Sequence, residues 1–204
     1  MLQEAFIELV QQYCSDEKKA MELWNEIATH YSSSKRHYHT LHHLENLLQQ
    51  LLPVKQEIKQ WPTLLFSVFY HDVIYNPLKT ENEEKSAAFA ANRLELIGVS
   101  QPVINNCVNQ IMATKKHATS DDSDTNYLID ADLSILGHDW DTYCNYYNQV
   151  RKEYRLYPDI IFIPGRKKVL QHFLQMERIF KTDYFFNKYE LRAKENLQQE
   201  LEAL

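Results

Sequence analysis

Apolar residues recur at three- and four-residue spacing along almost the whole chain, the period with which an α-helix lines one face with hydrophobic side chains. Leu2, Ala5, Phe6, Leu9, Val10 and Tyr13 form a first stripe. After a break at Ser15 and Asp16, Ala20, Met21, Trp24, Ile27, Ala28 and Tyr31 form a second. Leu41, Leu44, Leu47, Leu48 and Leu51 form a third, stopped by Pro53. Pro62 suits a first helical position, and residues 64–70 are apolar on every side, the pattern of a central buried helix. Only 3 glycines and 6 prolines punctuate the 204 residues, which argues against an all-β sandwich and against a glycine-rich phosphate loop.

The remainder reads the same way. A polar turn at residues 76–80 leads to a helix in which Ala87, Ala90, Ala91 and Leu94 allow close packing, ending at Gly98. Pro102 opens another, with Val103, Ile104, Cys107, Val108 and Ile111 inside. Residues 120–126 read as an acidic, solvated loop, and residues 127–136 as an apolar segment carrying Asp130 and Asp132. Tyr143, Tyr146, Tyr147, Val150 and Tyr154 make a stripe that reads as a packing face rather than a base-stacking platform. Residues 155–165, with two prolines, read as a loop, and helices at 169–180 and about 187–204 close the chain. No repeat or linker divides it. The expected fold is an all-α, single-domain helical bundle over 1–204, with a core at about 36–136 and C-terminal helices 139–204 packed on it.

Composition narrows the function classes. With 44% apolar and 25% charged residues the chain is of the soluble globular type. Its 22 basic against 28 acidic residues give a net charge of −6, so a general basic surface for nucleic acid or anionic lipid is not expected. Residues 1–10 carry Glu4 and Glu8 and no basic stretch ahead of an apolar one, unlike a signal peptide. The apolar run at 64–70 is too short for a bilayer. Cys14, Cys107 and Cys144 are widely spaced and fit buried thiols in a reducing compartment; a cytoplasmic location is expected.

Histidine stands out: four of the nine lie within residues 36–44. His39 and His43 are four apart, which on a helix would place them on one side. His71-Asp72 follows the helix read as most buried, and Asp132 sits in another apolar segment. An ionised carboxylate in such surroundings is costly unless paired. A divalent cation would pair it, since imidazole and carboxylate are its usual ligands. Each residue taken singly also reads as a hydrogen-bonded core group; their joint occurrence favours a metal site built from three helices.

These residues resemble the ordered signature H…HD…D of the HD superfamily of metal-dependent phosphohydrolases, at His43, His71-Asp72 and Asp132. Tyr38-His39-Thr40-Leu41-His42-His43 is similar to the Y-H-N-x-x-H element of cyclic-nucleotide phosphodiesterases, with Thr40 for Asn. His71-Asp72-Val73 and Ala131-Asp132-Leu133-Ser134 resemble their H-D-V and A-D-L-S, and Ile111-Met112-Ala113-Thr114 with His117 resembles the segment before the last aspartate. Most of the chain is similar to small bacterial proteins predicted to be HD phosphohydrolases of unknown substrate. That similarity takes in Asn82-Glu83, Ser86-Ala87, residues 130–137, residues 150–154 and Gly165-Arg166.

The resemblance implies that His43, His71, Asp72 and Asp132 ligate one divalent ion (Mn, Mg, Co, Ni, Fe or Zn), Asp72 also orienting the attacking water. Such an ion lowers the pKa of water, to about 7 in favourable zinc sites. His39 would protonate the leaving oxygen; its alternative is a capping or supporting histidine. His37 and His42 read as surface or supporting groups. Glu83 would orient water or an imidazole, its alternative being a first-turn glutamate that complements the helix dipole. His117 is the residue that could reach a second metal. Arg151, Arg166, Lys115 and Lys116 are candidate phosphate ligands, and Arg166, after a turn at Pro164-Gly165, is the one selected. Asp130 rivals Asp132, and the A-D-L-S wording selects Asp132. The expected activity is hydrolysis of a small-molecule phosphate ester, a nucleotide among the candidates, by metal-activated water. The alternative is a non-catalytic helical module that binds metal or senses a ligand. Neither membrane nor nucleic acid is an expected partner, and a homo-oligomer is compatible with the chain.

Overall fold

The apolar run at 64–70 lies within one helix that is buried on both sides, and the rest of the molecule is arranged around it. The computed structural model describes residues 2–204, and among them there is no strand. The helices are α1 (Leu2–Gln11), α2 (Glu17–Tyr31), α3 (Leu41–Leu51), α4 (Trp61–Tyr70), α5 (Asn82–Leu96), α6 (Gln101–Ala113), α7 (Ser123–Leu133), α8 (Trp140–Glu153), α9 (Asp159–Gln175) and α10 (Asp183–Ala203). Short 3-10 segments follow α3 (Leu52–Glu57) and α7 (Ser134–Gly137). The all-α class read from the sequence is the one observed.

Two hydrophobic clusters meet on α3 and α4. On α4, Leu65, Phe66, Phe69 and Tyr70 join a cluster built with α1, α2, α5 and α6, whereas Leu64 and Val68 join one built with α7 to α10. α3 divides likewise, Leu44 and Leu48 facing the first cluster and Leu47 and Leu51 the second. The four-residue spacing within each pair puts its members on one side of the helix. α4 therefore has no polar face, and its C-terminal end, where His71 and Asp72 follow, is fixed from both clusters.

Helix ends follow local chemistry. Asp16, Asp122 and Asp139 each accept a hydrogen bond from a backbone N–H three residues on, at 3.1, 3.1 and 3.0 Å, capping α2, α7 and α8. After α5, Gly98 takes φ +75°; its N–H donates to the Glu95 carbonyl (3.0 Å) and that of Val99 to the Leu94 carbonyl (3.1 Å), a bond pair that a left-handed residue permits.

Four expectations are corrected. Residues 155–165 are not all loop: α9 begins at Asp159 and carries Pro164 inside. The proline removes one hydrogen bond, to the carbonyl of Ile160 at the solvated end of α9, where water can replace it. The helix expected to reach 180 ends at Gln175, and the following turn is held by the buried Glu190, which accepts from the N–H groups of Ile179 and Phe180. Half of the solvated loop at 120–126 is helix, because buried Asp124 accepts from the N–H groups of Lys59 (3.0 Å) and Gln60 (2.7 Å). Pro62 and Pro102 each stand second in their helix rather than first. All three cysteines are free thiols, Cys107 buried and the other two half-buried. No helix among the described residues is long and apolar enough to cross a membrane.

α10 crosses the Ser134–Gly137 segment closely, and the Asn196 amide donates to the carbonyls of Leu136 and His138, both at 2.8 Å. A Cβ on Gly137 would lie 2.5 Å from Tyr189 Cβ and 2.7 Å from its backbone oxygen. Gly137→Ala is therefore expected to destabilise the protein by about 1–3 kcal/mol, as overpacking against backbone does, measured by urea denaturation.

Candidate metal centre

His43 projects from the first turn of α3, His71 caps the C-terminus of α4, Asp72 follows it, and Asp132 lies in the last turn of α7. Both imidazoles are buried, and the two carboxylates are mostly so. The His71 Nδ1–H donates to the Val68 carbonyl at 2.9 Å, so its Nε2 points inward. That Nε2 faces His43 Nε2 at 3.1 Å. Asp72 Oδ2 lies 3.3 Å from His71 Nε2 and 4.0 Å from His43 Nε2. Asp132 Oδ1 lies 3.3 Å from His43 Nε2 and 3.9 Å from His71 Nε2.

Two imidazole nitrogens and two carboxylate oxygens thus converge in a space where His71 Nε2, its ring proton being on Nδ1, turns a lone pair toward the His43 ring. Without a cation, one proton must lie between the rings. Burial disfavours charge on His71, yet Asp72 and Asp132 lift its pKa to about 9, while burial lowers that of His43. Asp72 and Asp132 are held well below the usual carboxylate range, the facing histidines outweighing burial. A divalent ion would replace that proton and satisfy all four groups. Among the described residues, His43, His71 and Asp132 bring ligand atoms close enough together to hold a metal ion, and Asp72 adjoins them.

His39 is not on α3, which starts at Leu41, so the expected helical i, i+4 relation with His43 does not apply. The loop before α3 brings the two rings within 5.6 Å all the same. His39 Nδ1 pairs with Glu153 Oε2 at 2.7 Å, and its Nε2 lies 3.8 Å from Asp72 Oδ2. Glu153 Oε1 accepts from the backbone N–H groups of His37 (2.7 Å), Tyr38 (2.8 Å) and His39 (3.0 Å), and Tyr75 donates its hydroxyl to Oε2 at 2.9 Å. Burial opposes charge on the His39 ring, but Glu153 and Asp72 raise its pKa above 6.5. Burial also opposes the Glu153 charge, but His39 and the backbone amides of His37 and His39 hold its carboxyl down at about 2. Arg36 completes the loop: its guanidinium donates to the carbonyls of His39 (3.1 Å), Asp72 (2.8 Å) and Val73 (2.8 Å). Neither Glu153 nor Arg36 stands out in the sequence as a site residue, because each acts on chain that is distant in the sequence or on backbone atoms.

The cluster opens into a cavity of about 650 Å3 lined by His39, His71, Asp72, Asp132, Glu83 and His117, with His43 behind them. Glu83 lies both in the first turn of α5 and on the cavity wall, 3.9 Å from Lys115 Nζ. His117, at φ +50°, places Nε2 3.3 Å from Asp132 Oδ2, the oxygen turned away from the imidazole pair. Lys115 is bound to Glu84 and to the Thr80 carbonyl. His42 is exposed, and His37 meets Glu153 only through its backbone.

Arg166 does not follow a turn; it lies within α9 on the cavity wall, and Glu200 holds it in a two-point pair at 2.7 and 2.8 Å. Its charge is paired there, while the residue keeps its place on the cavity wall. Arg151 is also engaged, with Asp159 and the carbonyls of Tyr154 and Tyr157. The tyrosine stripe divides: Tyr143 is buried against Glu200, whereas Tyr146 and Tyr154 line the cavity. Asp130 is fully buried and accepts from the Lys181 and Thr182 backbone and the Thr182 hydroxyl, fixing the start of α10. Asp132, not Asp130, reaches the imidazoles.

No protein-family model, curated protein or solved structure matches the chain.

Glu153→Gln is expected to lower the His39 pKa, followed by NMR titration of the imidazole. The carboxyl of Glu153 is depressed from 4.5 to about 2, so its contribution to stability is complete above about pH 4.5 and disappears as pH falls towards 2. The variant should lose on the order of 1–3 kcal/mol at neutral pH and show a flatter pH dependence of unfolding free energy across that interval.

Proposed function

We propose that this protein is a metal-dependent phosphohydrolase that cleaves a phosphate ester of a small molecule, a nucleotide being one candidate. The observation that carries the reading is the meeting of His43, His71, Asp72 and Asp132 at the inner end of an open cavity, with an independently oriented histidine beside them. A divalent ion held there would withdraw charge from a phosphoryl oxygen and activate water near neutral pH. By ligand type, a set of two imidazoles and two carboxylates suits Mn2+, Fe2+, Co2+, Ni2+ or Zn2+ better than Mg2+.

The protein's own groups then divide the work. Asp72 adjoins both the imidazole pair and the His39 ring, so it can orient a water at the cluster. His39, its Nδ1 committed to Glu153, has Nε2 to carry a proton to the leaving oxygen. Glu83, on the same cavity, would hold water, and His117, whose Nε2 lies 3.3 Å from the outer oxygen of Asp132, would be the imidazole available to a second ion. A purely structural ion would need neither an open cavity nor the His39–Glu153 pair, whereas a ligand-sensing module would use the cavity too and is distinguished from a hydrolase by turnover.

Elemental analysis of purified protein should find about one divalent ion per chain. His71→Ala and Asp72→Ala should lose both the ion and hydrolysis of phosphomonoesters, phosphodiesters and nucleotides. His39→Ala should keep the ion and lose about 10²–10⁴ in rate. Equal metal content in the wild type and Asp72→Ala would overturn the reading.

A further inference from the structure

The cavity has two unlike sides. The metal cluster, Glu83, His117, Lys79 and Lys115 occupy one, whereas α8, α9 and the turn between them supply the other. Along α9 the lining positions are Ile161, Phe162, Gly165, Arg166 and Val169, a three- and four-residue spacing that makes one continuous helix face. Tyr146, Val150, Tyr154 and Tyr157 extend it from α8 and the turn. Arg166, the one charged group on this side, is matched by Glu200, so the wall offers no uncompensated cation to a second phosphate or a carboxylate. The apolar character continues outward: Ile160 and Leu156, sequence neighbours of lining residues, are 83% and 71% exposed. A volume of about 650 Å3 far exceeds what a phosphoryl group fills and lies among cavities that enclose a whole organic ligand, about 300–1,000 Å3.

We infer that the substrate's organic portion is an uncharged, predominantly apolar group seated against the α8–α9 wall, which narrows the candidate esters away from nucleotides and sugar phosphates. This rests on the proposal that the phosphate end meets the metal cluster. Gly165 supplies a test that does not threaten the fold. A Cβ there meets no atom within 4 Å, and replacing a helical glycine by leucine favours the helix. Gly165→Leu would thus project its side chain into the seat.

Binding of 2-phenylethylphosphonate and methylphosphonate to the full-length, Mn2+-supplemented protein is to be compared by calorimetry, with hydrolysis of ethyl phosphate and ribose 5-phosphate measured in parallel. The phenylethyl compound should bind at least about tenfold more tightly than the methyl compound, from burial of its ring. In Gly165→Leu the ratio should fall to about one, with metal content unchanged. Equal affinities in the wild type, or an unchanged ratio in Gly165→Leu, would overturn the inference; ethyl phosphate hydrolysis in the same samples would show that the phosphohydrolase reading survives. Faster hydrolysis of ribose 5-phosphate than of ethyl phosphate would likewise overturn it. If neither phosphonate binds and no ester is cleaved, both readings fall.

Discussion

Two imidazole nitrogens 3.1 Å apart, with carboxylate oxygens within 4.0 Å of both, form the crowded point on which the molecule's organisation turns. In a buried setting such a group persists only if positive charge sits among its members. A shared proton can supply that charge, and so can a metal ion. The backbone leaves the rings little choice of direction, because His71 is turned inward by its own bond to the Val68 carbonyl. Everything that brings α3, α4 and α7 together also brings these lone pairs together.

The two hydrophobic clusters explain how that crowding is sustained. α4 is buried from both sides, so its C-terminal end cannot retreat from the cluster without breaking packing in both. The loop ahead of α3 packs Tyr38 against Tyr146 and His43 and is held for the rest by charge. Arg36 ties it to the carbonyls beyond α4, and Glu153 collects three of its amides from below. One carboxylate therefore both builds the loop and fixes the orientation of His39. Across the cavity, a neutralised arginine and a run of apolar side chains form a wall of different chemistry, so the space is polar at one side and apolar at the other.

Legibility in the sequence followed the strength of local signals. Helices with clean apolar stripes, such as α2, α3 and α6, are evident from spacing because burial of one face dominates their energetics. α9 was hidden because its first half is apolar without being buried and contains Pro164, a combination that reads as loop when neighbours are unknown. Asp124 and Asp130 look like solvated or catalytic carboxylates and turn out to hold backbone amides from other parts of the chain. His43, His71 and Asp132 were detectable because each interrupts an apolar setting, where an ionisable side chain needs a partner.

By itself, the order of residues determined the helical class, the central place of α4 and the identity of the imidazoles and carboxylates that need a shared positive charge. Spacing and the cost of burying charge act locally and can be read along a line. Only tertiary structure decided that Glu153 is the partner of His39, that Arg36 supports the loop and that Arg166 is already matched by Glu200. Those pairings join residues from 34 to 114 positions apart, or a side chain to backbone atoms, and no periodicity encodes them. They exist because packing of the two clusters sets the distances.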